Sequence, residues 1–225
     1  MLQLKSLQET EMQYFFQDNG AKDLIVFFAG WGCDENQFVN LHDVKDVLIL
    51  YDYQDLNLDF DFKRYANIEV IAYSAGVFVA ALMADNIPNI RRKVAVCGNP
   101  YLFDEKLGIS QAIIQVFKDI NLDNYLDFRR QYMTFDNEEY EKYNQLQSLR
   151  TVESCADELA ALQKLYALKK AQINPQFDKA IVAENDLIFR LEAQREFYKD
   201  KLQVIPQARH HIFFRFNSFE DILKL

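Results

Sequence analysis

Ile68-Glu69-Val70-Ile71-Ala72-Tyr73-Ser74-Ala75-Gly76, running on into Val77-Phe78-Val79-Ala80-Ala81-Leu82-Met83-Ala84, predicts a strand, a sharp turn and a helix in immediate succession. Ser74 sits at the turn. Small residues flank it two positions to either side, Ala72 and Gly76. A serine so placed reads as a nucleophile elbow, a turn that holds a hydroxyl above the edge of a sheet. Small flanking residues let strand and helix approach without side-chain clashes. The usual pattern has glycine at both outer positions, and Ala72 departs from it at the first. A five-residue match also fits an ordinary strand-to-helix turn, so the rest of the chain has to choose.

Working outward, apolar runs recur with helix-like segments between several of them. They are Met12–Phe16, Asp23–Phe28, Val47–Tyr51, Ile68–Tyr73, Lys93–Cys97, Lys179–Ala183 and Leu202–Ile205. The continuous run Leu24-Ile25-Val26-Phe27-Phe28 is expected of a strand buried on both faces. Strand and helix in alternation predict a mostly parallel α/β sheet flanked by helices. Ile109 to Gln172 differs: it has helical spacing and no convincing strand. Tyr125, Phe128, Tyr132, Phe135, Tyr140 and Tyr143 lie in it. One reading is helices packing an aromatic face of their own. The other is a lid over a site on the carboxyl edge of the sheet.

Composition bounds the rest. The chain has 225 residues, 50% hydrophobic and 14% aromatic, enough for one large domain with its own core. No run of about 18 apolar residues predicts a membrane span. The first residues, Met1-Leu2-Gln3-Leu4-Lys5-Ser6, lack a charged start followed by an apolar signal core. Cys33, Cys97 and Cys155 are widely spaced and form no CxxC pair, which suits a reducing cytoplasm and offers no zinc site. The formal charge of -9 disfavours a general binder of nucleic acid or anionic membrane. No cofactor or metal is called for.

Four short segments fall at the carboxyl ends of predicted strands, the edge where parallel α/β sheets bind ligands. Phe28-Ala29-Gly30-Trp31-Gly32 is a glycine-containing loop whose backbone N–H groups can point outward. With the N–H of Ala75, that of Trp31 could form an oxyanion hole beside Ser74. Val182-Ala183-Glu184-Asn185-Asp186 supplies a carboxylate to orient an imidazole, or is simply a solvated acidic turn. Ala208-Arg209-His210-His211-Ile212-Phe213 holds two of the three histidines of the chain. The third, His42, lies in a polar loop with no partner suggested. A serine hydroxyl is a poor nucleophile at neutral pH; an imidazole can take its proton and return it to the leaving group, and a carboxylate stabilises the imidazolium.

The order serine, acid, histidine is that of α/β-hydrolases. The chain resembles that fold, and more closely the BioG-type pimeloyl-[acyl-carrier-protein] methyl ester esterases of biotin synthesis. The resemblance covers nearly the whole chain. It is carried by Leu24–Trp31 with Gly32, by the Ala72–Gly76 elbow and by Arg209-His210-His211-Ile212-Phe213-Phe214. It implies one α/β-hydrolase domain over residues 1–225 with a helical lid insertion at about 105–175. It implies catalysis by Ser74, Asp186 and one of His210 and His211, with His210 preferred. Glu184, two residues early for the pattern, is the competing acid. Ala183 stands where the pattern has glycine. The implied substrate is an apolar acyl chain ending in a methyl ester and carried on acyl carrier protein, with methanol released.

An acidic enzyme would need a local basic patch to meet an acidic carrier. Arg129 and Arg130 in the presumed lid, and Arg91-Arg92-Lys93, are the candidates, against ordinary solvated surface. Two other readings compete: a hydrolase of other acyl esters or thioesters, and a non-catalytic hydrolase-fold binding module. Oligomeric state is not legible.

Overall fold

The computed structural model describes residues 12–121 and 123–225; the N-terminal residues read above as lacking a signal core lie outside them. Among the described residues seven strands form one sheet: β1 (Gln13–Gln17), β2 (Asp23–Phe28), β3 (Asp46–Tyr51), β4 (Asn67–Tyr73), β5 (Ile90–Val96), β6 (Lys179–Ala183) and β7 (Leu202–Ile205). Their order across the sheet is β1-β3-β2-β4-β5-β6-β7. Only β1 runs antiparallel, against β3. The other pairings are parallel. Each apolar run read from the sequence is a strand, displaced by three residues or fewer at its ends.

The continuous apolar strands lie in the middle, as two-sided burial demands. Leu24–Phe28 of β2 and Ile71–Tyr73 of β4 are buried throughout. One face of the sheet packs around Val26, Phe28, Val70 and Ala72 against α1 (Ala75–Met83) and the helices that follow. The other packs around Phe27, Ile71 and Ile181 against the C-terminal helix. Burying each such side chain contributes about 1.5–3 kcal/mol, which makes the sheet a stiff platform for its carboxyl edge. Helix α1 is buried along nearly its whole length, Val77 to Ala80 at 1% exposure or less.

Between β5 and β6 come α2 (Gln111–Lys118), α3 (Tyr125–Phe128), a π-helical turn (Arg129–Met133), α4 (Asn137–Gln145) and α5 (Val152–Lys169). This is the strandless stretch of the sequence. Ser110, Asp136 and Thr151 cap α2, α4 and α5, each accepting from a backbone N–H three residues on. After β6 come α6 (Leu191–Tyr198), β7 and α7 (Phe219–Lys224). Among the described residues no helix is long and apolar enough to cross a membrane.

Candidate active site

Ser74 follows β4 with φ 54° and ψ -122°. A positive φ is costly for a residue with a Cβ and persists only where its surroundings enforce it. Gly76 is what allows the turn here: a Cβ on it would lie 2.3 Å from the Phe28 carbonyl oxygen. Ser74 also occupies the N-cap of α1, where a serine normally accepts from the helix's first N–H groups. It makes no such bond. Its Oγ lies instead 2.9 Å from His210 Nε2. A residue that forgoes its local hydrogen bond is one the site has taken over.

On the far side of the ring, His210 Nδ1 lies 2.9 Å from Asp186 Oδ2. A carboxylate only accepts, so Nδ1 carries the proton and Nε2 is left to accept from the Ser74 hydroxyl. Asp186 is held in turn: its Oδ1 accepts from the N–H groups of Ile188 (2.8 Å) and Phe189 (3.1 Å). The imidazole sits between the rings of Tyr73 and Phe189, 5.1 and 5.9 Å away. His210 N–H reaches the Tyr132 carbonyl, so the π-helical turn braces the histidine loop.

His211 points elsewhere. Its ring is 4.8 Å from those of Tyr143 and Phe214, and it also meets Phe38 and Phe213. Among the described residues neither ring nitrogen has a partner. Burial, helped by the neighbouring His210, pushes its pKa down to about 3, so it is a neutral packing residue at ordinary pH. Glu184, the competing acid, accepts from the Gln207 N–H and makes no contact with the imidazole. His42 is an exposed loop residue.

Trp31 and Ala75 border the same cavity as Ser74 and His210, which has a volume of about 650 Å³. Ala75 opens α1, so its N–H needs no partner within the helix. The Trp31 indole stacks on Phe117 at 4.8 Å and donates to the Cys155 carbonyl at 2.6 Å. The wall is largely apolar: Leu102, Ile109, Phe128, Met133, Leu162 and Ile188 contribute to it. No cluster of three or more His, Cys, Asp or Glu that could hold a metal occurs among the described residues.

The basic candidates need correcting. Arg129 is 1% exposed and cannot be a surface contact for a partner. Its Nη1 donates to Asn144 and Gln147, and its guanidinium lies 4.1 Å from the Tyr125 ring centroid. Arg129 opens the π-helical turn with its side chain buried. Arg130 is exposed, over the Tyr140 ring. Arg91-Arg92-Lys93 opens β5, at the amino edge of the sheet, opposite Ser74. Arg92 donates to the Leu223 carbonyl and Lys93 pairs with Asp85, so this trio belongs to the surface away from the cavity.

Sequence reasoning missed a buried group behind the Trp31 loop. Glu158 on α5 is fully buried, accepts from the N–H groups of Gly32 (3.0 Å) and Tyr53 (3.1 Å), and is ion-paired with Arg150. Burial raises its pKa, and Arg150 opposes that rise. Nothing local in an acidic helix distinguishes this glutamate from its solvated neighbours. Gln37, which donates to the Tyr143 hydroxyl at 2.8 Å beneath the cavity, was equally silent.

With this geometry, similarity to known proteins becomes informative. The model of the pimeloyl-ACP methyl esterase BioG family matches residues 11–222. An uncharacterized protein of Haemophilus influenzae is 32% identical over 215 residues, 94% of this chain and 99% of that one. A crystal structure of BioG from Haemophilus influenzae superposes with a TM-score of 0.82 at 30% identity, covering 93% of this chain and 99% of that chain. A malonyl-[acyl-carrier protein] O-methyltransferase of Bacteroides fragilis is 32% identical over 186 residues, 79% of this chain but 37% of that protein. A Nitrososphaera gargenis carboxylesterase shares the fold at a TM-score of 0.60 and 14% identity, covering 98% of this chain and 96% of that one. The fold is that of the α/β-hydrolases, and the chain belongs to the pimeloyl-ACP methyl esterase BioG family.

Proposed function

We propose that this protein is a serine carboxylesterase that hydrolyses the methyl ester of a pimeloyl chain carried on acyl carrier protein. The observation that carries the reading is the hydrogen-bonded series Ser74 Oγ, His210 Nε2, His210 Nδ1, Asp186 Oδ2, opening on a mainly apolar cavity.

In the first half-reaction His210 takes the Ser74 proton as Oγ attacks the ester carbonyl. The tetrahedral oxyanion is received by the N–H groups of Trp31 and Ala75. Collapse expels methoxide, which takes the proton from His210 and leaves as methanol. Water then attacks the acyl-enzyme by the same route, freeing the carboxylate. Asp186 stabilises the transient imidazolium. The walls suit a neutral ester and an apolar chain better than the charged product, which favours release.

Residues at about 105–175 serve as the lid of a single α/β-hydrolase unit, and the exposed Arg130 is the remaining candidate for meeting the acidic carrier. The Bacteroides relative, named for methyl transfer to a carrier-bound acid, makes methyl esters of carrier-bound acids a fitting substrate class. Cys33, Cys97 and Cys155 are free thiols, in keeping with work in the cytoplasm. The alternative, hydrolysis of the thioester linking acyl chain to carrier, uses the same residues and differs in which bond is presented to Ser74. Incubating the purified protein with the carrier-bound methyl ester should release methanol, and Ser74→Ala should not. Methanol release by Ser74→Ala at the wild-type rate would refute the reading.

A further inference from the structure

The loop that brings Trp31 to the site is a tight turn. Cys33 N–H donates to the Gly30 carbonyl at 3.2 Å, so Gly30 to Cys33 form the turn and Trp31 and Gly32 are its central residues. Gly32 has φ +70°, the value a type II turn requires at its third position. Type I and type II turns differ by a flip of the central peptide, here the Trp31–Gly32 peptide. The turn's own hydrogen bond does not fix that peptide. Its N–H is the one that donates to Glu158 Oε2 at 3.0 Å.

Glu158 and Cys155 lie three residues apart on α5 and so share one face. That face holds the turn twice, Glu158 through the Gly32 N–H and Cys155 through the Trp31 indole. Glu158 also accepts from Tyr53 N–H, and the Tyr53 hydroxyl lies 2.9 Å from the Ala29 carbonyl just before the turn. Arg150 neutralises the carboxylate and is tied to Asp52 Oδ1 at 2.6 Å and Ser154 Oγ at 2.9 Å. A fully buried carboxylate is costly unless paired and hydrogen-bonded, and Glu158 meets both conditions while bonding the Gly32 N–H of the turn.

We infer that Glu158 is a positioning residue for ester hydrolysis: through the Gly32 N–H it anchors the turn to helix α5, and so holds the Trp31 N–H, which belongs to the preceding Gly30–Trp31 peptide, in place for the oxyanion. This deepens the esterase reading and rests on it. In Glu158→Gln the side-chain amide keeps the shape but presents an NH2 group, or one fewer acceptor, to the Gly32 N–H and Arg150. The turn then loses its anchor on helix α5 and can shift, carrying the Trp31 N–H with it.

The test is Glu158→Gln in the full chain, with circular dichroism confirming the fold. On p-nitrophenyl butyrate kcat should fall about 10- to 100-fold with KM nearly unchanged, less than the ~100- to 1000-fold typical of losing a donor outright. Inhibition by an alkyl trifluoromethyl ketone, which forms a tetrahedral oxyanion on the serine, should weaken in parallel. Trp31 is the one tryptophan of the chain, so acrylamide quenching of its fluorescence reads the loop directly and should increase. Unchanged kcat, a rise in KM alone, or lower kcat with wild-type quenching would each overturn the inference. If Glu158→Gln does not fold, Arg150→Lys decides by the same readings, since a lysine cannot join Glu158, Asp52 and Ser154 at once. Absence of esterase activity in the wild type would defeat the underlying reading, and the quenching result would still decide whether Glu158 holds the loop.

Discussion

His210 Nε2 lies 2.9 Å from Ser74 Oγ, while the ring of His211, the next residue, faces Tyr143 and Phe214 with no partner at either nitrogen among the described residues. Adjacent residues on an extended loop project to opposite sides, and the two imidazoles therefore occupy different environments. The expected outcome is a wide separation in kcat. His210→Ala and Ser74→Ala should each lose about three orders of magnitude or more, because such residues act as a unit, and combining them should cost little extra. Asp186→Asn should come close to this. His211→Phe should retain most of the turnover. Steady-state assays on one p-nitrophenyl ester check the four single substitutions and the double.

The buried His211 makes a prediction about acid. The unfolded chain binds a proton at this residue near pH 6.5, the folded chain only near 3. Between those values falling pH favours the unfolded chain. The expected contribution is a loss of up to about 1.4 kcal/mol per pH unit below ~6.5. His211→Phe should flatten the dependence of urea-unfolding stability on pH between 6.5 and 4. An unaltered slope would mean that His211 titrates at its ordinary value.

Gly76→Ala places a methyl group 2.3 Å from the Phe28 carbonyl oxygen, which belongs to the central strand and cannot step aside. Forced overpacking of this kind costs on the order of 1–3 kcal/mol or more. Tm should fall, and activity should fall further than Tm explains because the strain is relieved by moving Ser74. Calorimetry and an esterase assay on the same preparation measure both.

Much of this was legible in the chain, for a physical reason. Leu24–Phe28 and Val70–Tyr73 are buried on both faces, so their apolar runs are unbroken and stand out. Ala72 in place of glycine did not obscure the elbow, because it sits inside β4 between Phe28 and Ala95, where a methyl group fits. Arg129 was misread because a charge on a helix is taken as solvated, and the partners that hold it inside, Asn144 and Gln147, lie 15 and 18 residues further on. His210 and His211 share one local sequence. What separates them is what each ring meets: Ser74, Asp186 and Phe189 for His210, Phe38 and Tyr143 for His211. Glu158 works through Gly32 and Tyr53, residues more than a hundred positions away, and no window of sequence contains that relationship.

With Arg129 buried, the charge test falls on Arg130 alone. Arg130→Glu should raise KM several-fold for a carrier-bound ester and leave a small p-nitrophenyl ester untouched. Added salt should erase the difference, since exposed charges are screened beyond ~8 Å at physiological ionic strength. Equal losses on both substrates would place Arg130 in the folding of the helical segment between β5 and β6.

The most direct measurement is the intact mass of the carrier protein after incubation with this enzyme, starting from the pimeloyl methyl ester on its prosthetic arm. The account predicts a product lighter by one methylene, still bearing the acyl chain, formed by the wild type and not by Ser74→Ala. Carrier stripped of its whole acyl chain would show that the thioester is the bond presented to Ser74. Carrier of unchanged mass, under conditions where the wild type hydrolyses a simple ester, would contradict the assignment of this substrate.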